Sequence, residues 1–228
     1  MTQSQGEHQA SWLQVVVVYV ALVAVTGVAG LLMLVFPHLM NWWVSGVVLQ
    51  LVAYALIAAV IVVALHRIPQ SARSMFGATA APAARQILVA VASAAGALLL
   101  VVGVVPWVFG VPLTDITGTS NAGVAASILN IVGLLVVVGP IEELAFRGYL
   151  FGRLRQLVRP WIAVVIQAIL FGLWHIPTHP SLASVGLVTA FGLLFGFIRW
   201  KVPGATILAL GVGHGLYDVT LAVLASVL

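Results

Sequence analysis

Seven apolar stretches follow one another along the chain, at about 12–36, 42–65, 86–110, 122–151, 160–175, 182–199 and 204–227. Each approaches or exceeds the roughly 20 residues that a helix needs to cross a hydrocarbon layer about 30 Å thick. They are apolar all round and do not alternate with polar positions, so they predict membrane helices and not barrel strands. No internal repeat or low-complexity segment divides them. The pattern therefore predicts an all-α, polytopic transmembrane bundle of seven to eight spans. A short N-terminal tail, 1–11, precedes a single membrane domain, 12–228. The fourth stretch stands apart. Thirty helical residues would be about 45 Å long, and Gly139-Pro140 falls inside it. Proline removes a backbone donor and strands a carbonyl four residues earlier. A broken fourth helix is expected there, and broken helices at membrane depth line cavities.

Composition sharpens this picture. Of 228 residues, 63% are hydrophobic and 6% charged, and mean hydropathy is +1.21. A globular domain carries about 25% charged residues. A soluble enzyme, a nucleic-acid module and a disordered chain are all excluded. The net charge of +4 comes from only 9 Lys and Arg, too few for a nucleic-acid surface. There are 0 cysteines, so disulfides, thiolate metal sites and cysteine nucleophiles are excluded. Residues 1–10 carry no Lys or Arg and so lack the basic region of a cleaved signal peptide. Trp12 onward reads as a retained first span.

The basic residues alternate between loops. Arg67, Arg73 and Arg85 fall in the second loop, Arg153, Arg155 and Arg159 in the fourth, and Arg199 and Lys201 in the sixth. The odd-numbered loops have none, so the basic loops are expected on the cytoplasmic side, with the N-terminus inside and, for seven spans, the C-terminus outside. Trp12, Trp42, Trp43, Trp107, Trp161 and Trp200 fall near span ends, where interfacial aromatics anchor helices.

The chemistry is concentrated in the second half. Residues 12–65 and 86–114 hold no charged side chain and read as scaffold, whereas Asp115, Glu142, Glu143 and Asp218 are four of the five carboxylates. Asp115 reads as a solvated turn residue in an outer loop. The other three lie in apolar stretches, where an ionisable group costs about 2.5–3.5 kcal/mol and marks a functional site by default. Glu143 and Arg147 are four apart and share a helix face, so they can pair. Glu142, turned about 100° away, is left free, and a free carboxylate held away from water suits proton transfer. The alternative is a structural ion pair that merely ties this helix to its neighbours.

Gln167, Phe171 and His175 also step by four, and His175 stands just before Pro177, where a helix tends to stop. An intramembrane histidine can take a proton from water, ligate a metal, or serve as a hydrogen-bonded core residue. His179, in the Pro-flanked loop beyond, reads as solvated. His214 and Asp218 share a face in the last stretch. Gly211 and Gly215 there, like Gly192 and Gly196 in the sixth, form small-xxx-small pairs that read first as helix packing. Together, Glu142, His175, His214 and Asp218 offer two histidines and two carboxylates from three helices. That set can activate water and hold an oxyanion, or ligate a divalent metal such as zinc. No Gly-Xaa-Ser-Xaa-Gly elbow offers a serine nucleophile.

Glu142-Glu143-x-x-x-Arg147, Phe171-x-x-x-His175 and His214-x-x-x-Asp218, in this order and on separate apolar helices, resemble the CAAX-protease and bacteriocin-processing (CPBP) family, also called the Abi or Ras-converting-enzyme-like family. The run Pro140–Tyr149 is similar to that family's most recognisable stretch. The resemblance covers roughly residues 122–220. It implies an intramembrane endopeptidase in the plasma membrane of a bacterium or archaeon, cutting a membrane-embedded or lipidated protein near its C-terminus. Carried over, Glu142 is the base that activates water, helped by His175. His214 and Asp218 stabilise the oxyanion or join a metal site, and Glu143 with Arg147 holds the fourth helix in place. The family pattern ends in Asn or Asp. Asp218 donates a hydrogen bond only if protonated, and otherwise ligates a metal or orients His214. Two readings from other classes stand beside this one: a proton- or cation-coupled transporter, since intramembrane acids also mark proton relays, and a non-catalytic scaffold or bacteriocin-immunity protein.

Overall fold

The computed structural model describes residues 10–37, 43–67, 81–104, 107, 110, 124–177 and 181–227. Among them are seven helices and no strand. They are α1 (Trp12–Val35), α2 (Trp43–His66), α3 (Ala83–Val104), α4 (124–157), α5 (Pro160–Trp174), α6 (Leu182–Lys201) and α7 (Ile207–Val227). Six are long and apolar enough to cross a membrane; α5, at 15 residues, is shorter. Arg73, Trp42, Asp115, His179 and nearly all of the N-terminal tail lie outside the described residues.

The bundle is apolar outside and polar inside. Leu13, Val16, Val17, Val20 and Leu31 of α1 are exposed, as are Trp161, Val165, Ile169 and Leu173 down one face of α5. Glu142, Glu143, Arg147, Arg153, Gln167 and His214 are buried. This is the arrangement a lipid solvent demands, since a polar group facing hydrocarbon has no partner. A capping box starts α1: the Ser11 hydroxyl accepts from the Gln14 N–H, and the Gln14 side chain accepts from the Ser11 N–H. Farther along, the Tyr19 hydroxyl donates to the Leu170 carbonyl (3.0 Å) and Trp174 Nε1 to the Leu22 carbonyl (3.2 Å), joining α1 to α5.

The break expected at Gly139-Pro140 does not occur. Val138 (φ −62°, ψ −64°) and Gly139 (φ −53°, ψ −52°) stay helical. Instead the turns widen on both sides of the proline, over Leu134–Val138 and Leu144–Leu150. The Gly139 N–H reaches Leu134, five residues back, and the Phe151 N–H reaches Phe146. A widened turn carries one extra residue and relieves the proline's conflict with the carbonyl four residues earlier, so the backbone stays helical through Gly139-Pro140. The helix also runs to Leu157, beyond the expected end near 151. Arg153 is accordingly not a loop residue. It is buried on α4 and donates to Gln14 on α1 and to Gln156.

Two stripes of glycine let helices meet backbone to backbone, as their spacing suggests. A Cβ on Gly192 would lie 2.9 Å from the Ala168 Cα, where α6 crosses α5. On α7, a Cβ on Gly211 would lie 2.7 Å from the Pro140 Cα, and one on Gly215 2.6 Å from the Leu135 Cα. The obstructing atoms are backbone and cannot swing aside. Gly215→Val is therefore expected to push α7 off α4, lowering stability by about 1–3 kcal/mol and separating His214 from α4. Thermal unfolding in detergent checks this, and an unchanged melting temperature would contradict it.

Candidate active site

Helix α4 carries Glu142, Glu143 and Arg147 on its most enclosed stretch, where every residue from Glu142 to Phe151 is buried. Glu143 Oε1 accepts from Arg147 Nη1 at 2.9 Å, one helical turn on. The guanidinium lies 4.3 Å from the centre of the Phe171 ring, with Phe191 and Phe195 at 5.7 and 5.6 Å. Aromatic faces thus replace water around this cation.

Helix α7 brings His214 against both glutamates. Its Nδ1 is 2.9 Å from Glu143 Oε1. The carboxylate can only accept, so Nδ1 carries the proton and Nε2 points the other way, 3.7 Å from Glu142 Oε2 and 3.6 Å from Asp218 Oδ2. Of the roles left open for Asp218, orienting His214 through Nδ1 thus falls to Glu143. His175 closes α5 at its C-terminal cap. Its Nδ1 is 2.9 Å from the Phe171 carbonyl, again an acceptor only, and its Nε2 is 4.0 Å from Glu142 Oε2. Glu142 Oε2 is buried and accepts no hydrogen bond among the described residues. It faces the Nε2 atoms of both histidines.

All six residues singled out from sequence therefore converge. A straight-helix reading puts His175 nearer the outer surface than Glu142. The longer α4 removes that mismatch. Glu142 stands fifteen residues before Leu157, and His175 fifteen after Pro160, so both lie about 22 Å from one short antiparallel connection. Tyr54 on α2 is an addition that sequence reasoning missed: its hydroxyl donates to Glu142 Oε1. A polar ring one turn after Gln50, in a mostly apolar helix, was the available signal.

A cavity of about 200 Å³ adjoins the cluster, with His175, His214, Asp218, Phe171, Phe191 and Tyr217 in its wall. Val101, Leu187, Val188 and Leu221 make the rest mostly apolar. Among the described residues, no group of three or more His, Asp or Glu is arranged to hold a metal ion.

Residues 124–220 match the family model described as type II CAAX prenyl endopeptidase, Rce1-like. No curated protein and no solved structure matches the chain. The match takes in all three motifs, α5 and α6, and the polar cluster those helices enclose, and it accords with the order and spacing of the motif residues. Over its 124–220 segment, this integral membrane protein is similar to the Rce1-like type II CAAX prenyl endopeptidases, a family of proteases.

Proposed function

We propose that this chain is an intramembrane endopeptidase that hydrolyses a peptide bond of a membrane-associated protein or peptide, C-terminal CAAX-type sites included. The observation that carries the reading is the buried, unbonded Glu142 Oε2 facing His175 Nε2 at 4.0 Å and His214 Nε2 at 3.7 Å. These separations are too long for direct hydrogen bonds and are of the size one water molecule bridges. Water held between Glu142 and His175 gives a proton to Glu142 as its oxygen bonds to the scissile carbonyl carbon. The carbonyl oxygen becomes an oxyanion, which the doubly protonated His214 stabilises through Nε2–H. Asp218 balances that positive charge from the cavity wall, and Glu143 holds the ring by Nδ1. Collapse breaks the C–N bond, and Glu142 returns its proton to the leaving amine. Arg147 neutralises Glu143, leaving Glu142 as the carboxylate free for chemistry.

The same reading places the N-terminus in the cytoplasm of a bacterium or archaeon. Arg155, Arg159, Arg199 and Lys201 gather at the α4–α5 and α6–α7 ends, which supports a cytoplasmic face there. The test is a panel of quenched fluorescent peptides, including a farnesylated C-a-a-X peptide, offered to the purified protein in liposomes with and without a chelator. Cleavage that survives the chelator is expected. Loss of cleavage with chelator would move the water-activating role to a metal. Proton flux without cleavage of any peptide would overturn the reading in favour of a transporter.

A further inference from the structure

We infer that Tyr54 is a positioning residue for Glu142, so that α2, outside the 124–220 segment, completes the active site; this rests on the protease reading above. A glutamate on a helix can turn its carboxylate about the last side-chain bond, which has a broad, roughly two-fold torsion. Nothing in α4 itself stops that rotation, because the Glu143–Arg147 pair occupies the neighbouring face. The hydrogen bond from Tyr54 stops it. Its hydroxyl donates to Oε1, while Oε2 is left for the two histidine Nε2 atoms. The two oxygens of one carboxylate thereby take different tasks: Oε1 is anchored and Oε2 receives the proton.

The anchor is itself well held. Ala53, Ile57 and Ile61 form the buried row of α2, and Tyr54 packs against the same core at its edge. A tyrosine is suited to this place because its ring is apolar enough for the bundle and its hydroxyl reaches one polar partner. The bond is between a neutral donor and a carboxylate, the stronger class of hydrogen bond, and at membrane depth no bulk water competes for either atom.

The test is Tyr54→Phe, which keeps the ring and removes only the hydroxyl. With a peptide that the wild type cleaves, kcat is expected to fall about tenfold, the size of one hydrogen bond to a carboxylate. KM and the melting temperature should stay unchanged. An unchanged kcat, or a rise in KM alone, overturns the inference. A second measurement needs no substrate. Dicyclohexylcarbodiimide, an apolar reagent for intramembrane carboxyl groups, is applied to the intact protein, and modification of Glu142 is followed by mass spectrometry, with Glu142→Gln as the blank. Tyr54→Phe should label several-fold faster, since Oε1 is no longer covered. Equal labelling rates overturn the inference whatever the activity. Faster labelling of Tyr54→Phe beside a wild type that cleaves no peptide leaves the Tyr54 anchor standing and removes the protease reading.

Discussion

Glu142→Gln is expected to lower peptide cleavage by about 10²–10⁴-fold, the range over which a positioned general base contributes. The substitution is nearly isosteric. The amide oxygen still accepts from Tyr54, but the NH₂ group now stands where Oε2 was and cannot take a proton from water. His175 and His214 then face a donor in place of an acceptor. Because shape and most contacts are kept, the melting temperature should change little, which separates lost chemistry from lost folding. The measurement is single-turnover cleavage by purified wild type and variant in the same lipid, each with its unfolding curve. Retention of more than a tenth of the wild-type rate would remove Glu142 from the role of base. Loss of activity together with collapse of the fold would assign it a structural role.

Arg147→Leu should give the largest loss of stability, about 3–5 kcal/mol, the cost of removing one partner from a buried ion pair. Arg147 is fully enclosed by α4, α5 and α6, and its only charge-bearing partner at hydrogen-bond distance among the described residues is Glu143. Without it, Glu143 stays buried with the His214 ring as its remaining support. The guanidinium also lies over Phe171 at 4.3 Å, so a lysine, with a compact ammonium in place of a flat plane, is a poor substitute. A double variant, Glu143→Gln with Arg147→Leu, removes both charges and should recover much of the stability, because a neutral pair has no buried charge to leave unbalanced. It should stay slow in cleavage, since a neutral glutamine no longer offers His214 a carboxylate. Unfolding of Arg147→Leu, Glu143→Gln and the double variant gives the coupling energy directly. Additive effects would mean that the pair is not the unit that holds this part of the bundle.

Much of this site was legible because its parts obey local rules. Four-residue steps put Glu143 beside Arg147 and His214 beside Asp218 before any fold was known, and the apolar stretches gave the seven helices within a few residues. The glycine spacings on α6 and α7 correctly pointed to close packing. What escaped was set by distance and by backbone energetics. The Tyr54–Glu142 bond joins residues 88 apart in sequence, and no periodicity in α2 encodes a partner on α4. The expected break at Gly139-Pro140 followed the usual cost of proline, but widened turns on either side of the proline absorb that cost within a continuous helix. The end of α4 was misplaced because Arg153 looked like a loop residue. It is tolerated inside because Gln14 and Gln156 satisfy it. Orienting His214 was one of three roles open to Asp218; the ring turns its Nδ1 to Glu143 on another helix, and its Nε2 stands 3.6 Å from Asp218 Oδ2.

The short fifth helix adds a dependence on the lipid itself. Its exposed face, from Trp161 to Leu173, covers roughly 20 Å, while an average hydrocarbon layer is about 30 Å deep. Lipid beside α5 must thin to meet it, at fractions of a kcal/mol per Å of mismatch. His175 stands at the end of that helix, so the dimple in the bilayer opens beside the Glu142–His175–His214 cluster and shortens the path for water into it. On the protease reading, acyl-chain length is thus a coordinate of the reaction, and turnover in liposomes of graded thickness should fall as the tails lengthen.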